Sequence, residues 1–403
     1  MREAVIVSAC RTAVGRAKRG SLIHTRPDYM ASVVIKEAIK RAGIDPKEIE
    51  DVVMGCAMPE AEQGMNVARL ALHLANLPES IPAMTINRYC SSGMQAIWNV
   101  VCDVNSGAID IGVGGGTETM TMIPMGGNKI VPNPDMAKTE TGWNAYVGMG
   151  ETAENVAHKY DISREEQDKL AVDSNERAMK ANENGDFKEQ IVPLPTVMYN
   201  PDGTKKEFVF DVDEGPRPGT TMEVLGKLRP AFWDKKKGTV TAGNSSQMSD
   251  GAGAVVVMEK SVAEKKGIKP LAKFHGCVTV AFDPAYMGIG PALAIPRLME
   301  KFGKPLGLTD LEQIDVIELN EAFASQAVYC VKELGLQKMW DEGRVNPTGG
   351  AVALGHPLGA TGAKLTTQII YWMKNHNLKW GIVSMCIGGG MGAAGLFENL
   401  TLE

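Results

Sequence analysis

The sequence lacks any long hydrophobic run. Hydrophobic residues make up 44% of the 403 positions, yet no apolar stretch approaches the roughly 18 residues that a membrane-spanning helix needs. The buried-strand pattern AVIVS begins at Ala4. That start leaves no room for a leader peptide, and we expect none. The composition therefore predicts a globular protein with ample apolar material for a packed core.

Paired cysteines and a strong charge are also missing. The seven cysteines are odd in number and show no CxxC spacing, which argues against a disulfide framework or a zinc site. We expect reduced thiols, no bound metal and a cytoplasmic address. The formal net charge of -6 is too mild to indicate a partner, and no basic stripe supports nucleic-acid binding. The cluster Gly114-Gly115-Gly116 is not a GxGxxG loop, so we discount a dinucleotide cofactor.

What the sequence does contain is an internal repeat. Residues 28–55 read as a helix that ends at Gly43, an acidic turn and a buried strand, and residues 294–320 repeat that order with a helix ending near Gly303. Later in each half a turn leads into a helix, and each half then closes with a strand and a glycine cluster. Cys90 and His356 occupy equivalent places, each just before a helix. We predict two copies of one α/β unit that bring their strand ends together.

A stretch with a different sequence pattern separates the two copies. Residues 121–240 contain polar turns and helices near 150–160 and 163–184, and they are too long for a passive loop. We interpret this stretch as an inserted subdomain that covers a site. The predicted domains are therefore residues 1–120 with 241–270, the insertion 121–240, and residues 271–403.

Three residues are candidates for chemistry. Cys90 lies where a strand turns into a helix, so the helix amides and dipole should favour its thiolate. His356 lies in a glycine-rich turn, where functional residues are common. Cys386 precedes Gly388, and the exposed N–H groups of residues 388–390 could hold an oxyanion. A cysteine with a histidine also fits a papain-like protease or a thiol transferase, and spacing alone does not separate these.

Five blocks in order resemble the signature segments of the thiolase family over nearly the whole chain. They are NRYCSSG at residues 87–93, VTAGNSS at 240–246, NEAFA at 320–324, GGAVALGHPLG at 349–359 and CIGGG at 386–390. Related ketoacyl synthases usually present two histidines, whereas this chain has Asn320 and a second cysteine. The resemblance implies an α/β thiolase fold, with duplicated βαβαβαββ halves in a five-layered αβαβα core and an inserted loop domain.

The resemblance also implies roles. Cys90 attacks the 3-ketoacyl thioester and carries the acyl group, His356 activates Cys90, and Cys386 moves the proton to and from the acetyl carbon. Asn320 orders a water that forms one oxyanion hole with His356, and the N–H groups of Cys90 and Gly388 form the other. Coenzyme A is then a substrate, with no separate cofactor. The positions that match the family's coenzyme A contacts are Met149, Arg217, Phe232, Ala242, Ser246, Met287 and Phe323.

Two departures bear on which thiolase the chain resembles. Some biosynthetic acetoacetyl-CoA thiolases carry His-Met where this chain has Gly148 and Met149, and they can have Ser where it has Val224. The chain is therefore most similar to bacterial degradative 3-ketoacyl-CoA thiolases of fatty-acid β-oxidation. The alternatives are a biosynthetic acetoacetyl-CoA thiolase and an inactive acyl-CoA-binding subunit of an oxidation complex. The resemblance implies a homodimer or homotetramer, with a β-oxidation multienzyme subunit as a further partner.

Overall fold

The computed structural model describes residues 2–200, 202–234 and 236–402. Residues 1, 201, 235 and 403, which the predicted domain boundaries include, lie outside the described residues. The first part of the chain forms β1 (Ala4–Arg11), β2 (Gly15–Arg16), α1 (Pro27–Ala42), β3 (Asp51–Gly55), α2 (Val67–Leu74), β4 (Ala83–Ile86), α3 (Ser92–Ser106) and β5 (Ile111–Thr119). The middle part forms α4 (Met149–Lys159), α5 (Arg164–Asn184), β6 (Leu194–Tyr199), β7 (Lys205–Phe210) and α6 (Met222–Gly226).

The remaining elements complete the first half and build the second. They are β8 (Ser249–Glu259), α7 (Lys260–Lys266), β9 (Ala272–Ala281), α8 (Gly290–Leu298), β10 (Val316–Leu319), α9 (Ala324–Glu333), α10 (Gln337–Asp341), α11 (Ala351–Leu354), α12 (Leu358–His376), β11 (Trp380–Ile387) and β12 (Met391–Asn399). None of the helices in the described part of the chain is long and apolar enough to cross a membrane.

The two halves have the same strand order, which confirms the predicted duplication. In the first half the order is β4–β3–β5–β8–β1, and in the second it is β10–β11–β12–β9. β3 pairs in parallel with both β4 and β5, and β10 pairs in parallel with β11, whereas the remaining neighbours are antiparallel. Ile6 pairs with Ala272 and joins the halves into one sheet. The second-half counterpart of β4 is reduced to a single parallel bridge between Val345 and Ile317.

Alternating side chains sort the strands into layers. Val5 and Val7 of β1 pack with α1 and α2 in one core, whereas Ala4 and Ile6 face a second core with α3 and α12. Ile382 of β11 faces a third core with α8 and α9. Helices α3 and α12 also contact each other. This order of outer helices, sheet, central helices, sheet and outer helices confirms the five-layered αβαβα expectation.

The helix that was predicted to end near Gly303 runs further. After α8 the chain continues through a π-helical turn to Gly303 and a 3₁₀ turn to Leu306. Gly307, at φ 80°, then supplies the left-handed residue that ends these turns. In the first half Gly43, at φ 68°, ends α1 as predicted. The prediction for Gly303 was therefore wrong by one helical turn, because that glycine stays in right-handed helical geometry.

The first half was predicted to close with a strand and a glycine cluster, and the structure places that cluster inside the strand β5 itself. A Cβ on Gly114 would lie 2.6 Å from the Cα of Ile97, and one on Gly116 would lie 2.2 Å from the carbonyl oxygen of Gly359. These glycines therefore let α3 and α12 approach the sheet closely. That approach places the start of α12 beside the first half of the molecule.

A long insertion joins β5 to β8. Its helices α4 and α5 match the predicted helical segments closely. Ser163 begins α5 with a capping box to Glu166, which explains why that boundary was readable from sequence. Helix α5 contacts α9 and α11, and α4 contacts α9, so the insertion packs on the second half. The exact domain limits stay a prediction.

Candidate active site

Cys90 lies in a tight turn that feeds directly into α3. The turn covers Tyr89–Ser91 in 3₁₀ geometry, and Tyr89 adopts a left-handed φ of 44°. The Ser92 hydroxyl donates to the Tyr89 carbonyl at 2.7 Å and accepts from the Arg88 N–H at 2.8 Å. These bonds lock the turn, and the Cys90 side chain is left buried at its tip.

Burial decides the protonation of Cys90. It raises the pKa of the thiol to about 12, although the N–H groups of Gly388 and of Cys90 itself lower that pKa, and the charge of Glu118 raises it further. Backbone N–H groups favour the thiolate, as expected for the start of a helix, but the net shift of the pKa is upward. Desolvation of the charged form outweighs the amide dipoles here. Cys90 needs a neighbouring base to become a nucleophile.

His356 is held at its backbone N–H and at one nitrogen of its ring. Its backbone N–H donates to the Gln247 carbonyl at 3.2 Å, and its Nδ1 lies 2.6 Å from the Thr361 hydroxyl. That hydroxyl donates its only hydrogen to the Pro357 carbonyl at 3.0 Å. Nδ1 must therefore carry the ring proton and donate to Thr361. The other nitrogen, Nε2, is left as the acceptor.

The environment of His356 favours a neutral base. Burial lowers the pKa of the imidazole to about 3, and the positive charge of Lys364 lowers it further. An unprotonated Nε2 can take a proton from a thiol. The Asn320 side-chain nitrogen lies 3.4 Å from this Nε2. The structure thus brings together the predicted histidine and asparagine.

Asn320 directly follows β10 and is fully buried. Its backbone N–H donates to the Ser384 carbonyl at 2.9 Å, which fixes it against β11. Its side-chain oxygen Oδ1 makes no hydrogen bond to any of the described residues. A buried unpaired polar atom normally has a water or a ligand as its partner. Asn320 therefore presents free hydrogen-bonding capacity inside the site.

Cys386 ends β11 and is also buried. Burial raises the pKa of its thiol well above the ordinary value, and the nearby Cys90 thiol adds to that rise. Gly388 follows in the β11–β12 turn, and its N–H points to the Cys90 sulfur. A Cβ on Gly388 would lie 3.6 Å from the Tyr89 ring and 3.7 Å from the Met149 sulfur. The turn that carries Cys90 and the end of the strand that carries Cys386 therefore meet at Gly388.

Some predicted coenzyme A positions surround this centre and others do not. Met149, Met287 and Phe323 pack in one cluster with Cys386. The Phe232 ring contacts the Phe323 ring with centroids 6.0 Å apart. The Ser246 N–H donates to the Ala322 carbonyl, one residue before Phe323.

The two other predicted contacts are exposed. Ala242 lies on the surface, and Arg217 lies on the surface near Arg16 and Arg19. Burial lowers the pKa of the Arg217 guanidinium, and these two neighbouring positive charges lower it further. Arg217 therefore belongs to a basic surface patch, and its described contacts do not include the cluster around Cys386.

Thr361 was missed from the sequence. A hydroxyl in the first turn of a helix normally suggests only local capping, and here it faces the ring of a residue five positions earlier. Its spacing from His356 was the available signal. That signal has meaning only once Pro357 is known to start the helix.

The site has the parts that acyl transfer through a cysteine requires. A buried thiol lies by backbone N–H groups, a neutral imidazole offers a free nitrogen, and a second thiol lies beside the first. These supply a covalent carrier, a base and donors for developing negative charge.

Comparison with known families gives the same class. Residues 4–261 match the model of the thiolase N-terminal domain, and residues 268–399 match that of the thiolase C-terminal domain. The 3-ketoacyl-CoA thiolase of Bacillus subtilis (strain 168) is 50% identical over 404 residues, covering 99% of this chain and 100% of that protein. The human peroxisomal 3-ketoacyl-CoA thiolase is 43% identical over 397 residues, covering 98% of this chain and 91% of that protein.

Two solved structures superpose closely on this chain. The acetyl-CoA acetyltransferase of Bacillus anthracis superposes with a TM-score of 0.87 at 38% identity and 99% coverage of both chains. The dimeric peroxisomal thiolase of Saccharomyces cerevisiae superposes with a TM-score of 0.86 at 38% identity, covering 98% of this chain and 97% of that one. The chain belongs to the thiolase family and is an acyltransferase of that family.

Proposed function

We propose that the protein cleaves 3-ketoacyl-CoA with coenzyme A, giving acetyl-CoA and a shortened acyl-CoA in fatty-acid β-oxidation. The reverse reaction is a Claisen condensation. The observation that carries the proposal is the meeting of Cys90, the Gly388 N–H and Cys386 at one point, with Leu358, two residues after neutral His356, packed against Cys90. The 3-ketoacyl-CoA thiolase names of the bacterial and peroxisomal relatives support the substrate class.

In the first half-reaction Cys90 Sγ attacks the keto carbon while His356 Nε2 takes the thiol proton. The bond between the keto carbon and the acetyl carbon breaks, and its electron pair leaves with acetyl-CoA as an enolate. Cys386 protonates that enolate carbon, and the shortened acyl group stays on Cys90 as a thioester. The buried position of Cys386 in the same cluster as Met287 and Phe323 supports this role.

In the second half-reaction the thiol of coenzyme A gives its proton to the Cys386 thiolate and attacks the Cys90 thioester. The bond between Cys90 sulfur and the acyl carbon breaks, the shortened acyl-CoA leaves, and Cys90 recovers its proton from His356. The N–H groups of Cys90 and Gly388 lower the pKa of the thiol, so they point where an oxyanion beside the sulfur would form. The second oxyanion site is a water held by Asn320 together with His356. The unpaired Asn320 Oδ1 and the 3.4 Å approach of Nδ2 to His356 support that arrangement.

Coenzyme A enters as a substrate, and no separate cofactor or metal is proposed. Met149, Met287, Phe232 and Phe323 would line its thiol end, since they lie around Cys386. Ser246 and Ala242 would follow along the same wall. Arg217, with Arg16 and Arg19 beside it, would meet the phosphate-bearing end, where positive charge attracts anions.

A biosynthetic acetoacetyl-CoA thiolase is the second candidate. The Bacillus anthracis structure, named an acetyl-CoA acetyltransferase, favours it, whereas Gly148 and Val224 favour the degradative type. An inactive acyl-CoA-binding subunit of an oxidation complex is the third, and intact Cys90, His356 and Cys386 speak against it.

Chain-length assays separate these candidates. Turnover of 3-ketohexadecanoyl-CoA near or above that of acetoacetyl-CoA supports the degradative function. A protein that acts only on acetoacetyl-CoA is biosynthetic. A silent subunit gains no acetyl group when mixed with acetyl-CoA, as mass spectrometry would report.

The protein would act as a homodimer or homotetramer in the cytoplasm, with a β-oxidation multienzyme subunit as a further partner that co-purification would identify. β4 ends the sheet and leaves one edge open. Met84 on this strand is 38% exposed and Met65 before it is 92% exposed, an apolar edge of the kind that a partner covers. The yeast relative is described as dimeric. Light scattering of the purified chain tests the assembly.

A further inference from the structure

A buried carboxylate lies beside Cys90 and is outside the mechanism described above. Glu118 of β5 is 1% exposed. It accepts hydrogen bonds from Ala57 N–H at 2.8 Å, Met58 N–H at 3.3 Å, Gln63 Nε2 at 2.6 Å and Gly359 N–H at 2.7 Å. All four partners are donors, so a proton on the carboxyl group would face other hydrogens. Burial raises the pKa of Glu118, whereas these hydrogen bonds lower it and favour the anionic form of the carboxyl group.

The four bonds place this anion close to the catalytic turn. Gly359 lies three residues after His356, at the start of α12. Ala57 packs in one small cluster with Cys90 and Leu358. The negative charge thus lies behind the thiol, and it opposes the formation of a second negative charge on Cys90 sulfur.

A buried cation lies behind the histidine in the same way. Lys364 is 2% exposed and follows Thr361 by three positions, so the two share one face of α12. Thr361 is the residue that holds His356 Nδ1. Positive charge on Lys364 therefore opposes a second positive charge on the imidazole.

The charge of Lys364 is not neutralised by direct contact. Neither carboxylate oxygen of nearby Glu318 accepts a hydrogen bond within the described part of the chain, so Glu318 does not bond directly to Lys364. Burial lowers the pKa of Lys364 to about 8, the charge of Arg11 lowers it further, and the charges of Asp213, Glu318 and Glu321 raise it and favour the ammonium. Arg11 also lies near, but Asp213 matches its charge through two bonds of 2.8 Å.

We propose that Glu118 and Lys364 are positioning residues that hold the resting Cys90–His356 pair as a neutral thiol and imidazole. The negative charge disfavours the thiolate, and the positive charge disfavours the imidazolium. Proton transfer to Nε2 then accompanies the formation of the sulfur–carbon bond, when an acyl thioester is in place. The inference rests on the proposed function, because it takes Cys90 as nucleophile and His356 as base.

The remaining ionisable groups around the pair are the same in every variant suggested below. Cys386 faces Cys90. Asp250 follows Ser249, whose hydroxyl accepts from the His356 N–H at 3.2 Å, and Thr119 and Thr121 bind that carboxylate. Glu321, which lies near Lys364, is bound by Ser174 and Asn346.

The test is the rate at which iodoacetamide alkylates Cys90 at neutral pH, measured by peptide mass spectrometry. Exposed Cys102 serves as an internal reference in the same sample. Glu118→Gln and Lys364→Gln remove charges of opposite sign, and both should raise the Cys90 rate relative to Cys102. We expect about threefold or more for each, since one pKa unit corresponds to about tenfold in ionised fraction.

Two matched variants separate the effect of removing a charge from the effect of loosening the local structure. Gln63→Ala removes one donor to Glu118 but keeps its charge, and Lys364→Arg keeps the positive charge, so neither should raise the rate. An unchanged or lower rate in both charge-removing variants overturns the proposal, as does an equal rise in Gln63→Ala. If Glu118→Gln does not fold, the comparison of Lys364→Gln with Lys364→Arg decides the question. Failure of the proposed function is seen separately, as absence of a Cys90 acetyl adduct in the unaltered enzyme.

Discussion

The two halves of the molecule place different chemistry at equivalent points. In the first half Cys90 lies in a 3₁₀ turn that runs straight into α3. In the second half His356 lies between the short helix α11 and Pro357, which starts α12. Because α3 and α12 contact each other, the two turns meet across the central layer. A duplicated fold thus supplies a nucleophile from one copy and a base from the other.

The contribution of the halves is unequal beyond that pair. The second half also supplies Asn320, Cys386 and the Gly388 N–H. The equivalent glycine cluster of the first half is used for packing inside β5. Under the proposed mechanism the first copy carries the acyl group, and the second moves the protons and supplies most of the groups that stabilise oxyanions. Changes to each residue test this division, and they are ordered below by the size of the expected effect.

Removing the acyl carrier should have the largest effect. Cys90→Ala should abolish both the acetyl adduct from acetyl-CoA and thiolysis, because the carrier atom is gone. The adduct is measured by intact-protein mass spectrometry, and circular dichroism checks the fold. Cys102→Ala is the matched control and should keep the adduct. An undiminished adduct in Cys90→Ala would refute the assignment.

Changing Cys386 should affect the two half-reactions unequally. Cys386→Ser should damage carbon–carbon bond chemistry far more than acetyl transfer to Cys90, since only the former moves a proton at the acetyl carbon. The comparison is steady-state condensation against the rate of adduct formation. Equal losses in both would mean that Cys386 is structural, and the proposed division of labour would fail.

Asn320→Asp should cost about 100- to 1000-fold in rate, the usual loss for one oxyanion donor, or about 2.7–4 kcal/mol. A carboxylate would place negative charge beside developing negative charge. The alternative that Asn320 caps a helix is wrong, because α9 begins at Ala324 and its N-cap is Phe323. An asparagine that only filled space would tolerate Asp, which has nearly the same shape. Thiolysis at near the unaltered rate in a normally folded Asn320→Asp protein would rule out the oxyanion role.

The contrast between the halves also shows how much the sequence could predict. The order of elements, the duplication and the turns at Cys90 and His356 were predictable because helix ends, strands and motif blocks are local patterns. The position of the first glycine cluster inside β5 was not. Gly114 and Gly116 are needed because α3 and α12 press on the sheet, and no local pattern reports that contact.

The same limit applies to the candidate site. Burial of Cys90 reversed the expected effect of the helix start on its pKa, and burial is a property of the whole fold. Glu118 gave no signal either, because its partners lie at Ala57, Gln63 and Gly359, as far as 241 positions away. The residues proposed to touch substrate were predicted through motifs, whereas the residues proposed to act through them required the structure.

The smallest predicted effect concerns Thr361, which positions the base. Thr361→Val keeps the shape of the side chain but leaves the buried His356 Nδ1–H without its acceptor. An unsatisfied buried donor costs about 1–3 kcal/mol, so the ring should move or shift its proton to Nε2, where it blocks acceptance from Cys90. We expect adduct formation to slow by roughly tenfold to a hundredfold, as that free energy implies. Thr361→Ser retains the hydroxyl and should stay near the unaltered rate. The loss should appear in kcat with little change in KM, since the hydroxyl is bound to His356 and Pro357. If Val and Ser at this position acted alike, the hydroxyl would not set the tautomer of His356, and the second half would orient its base by packing alone.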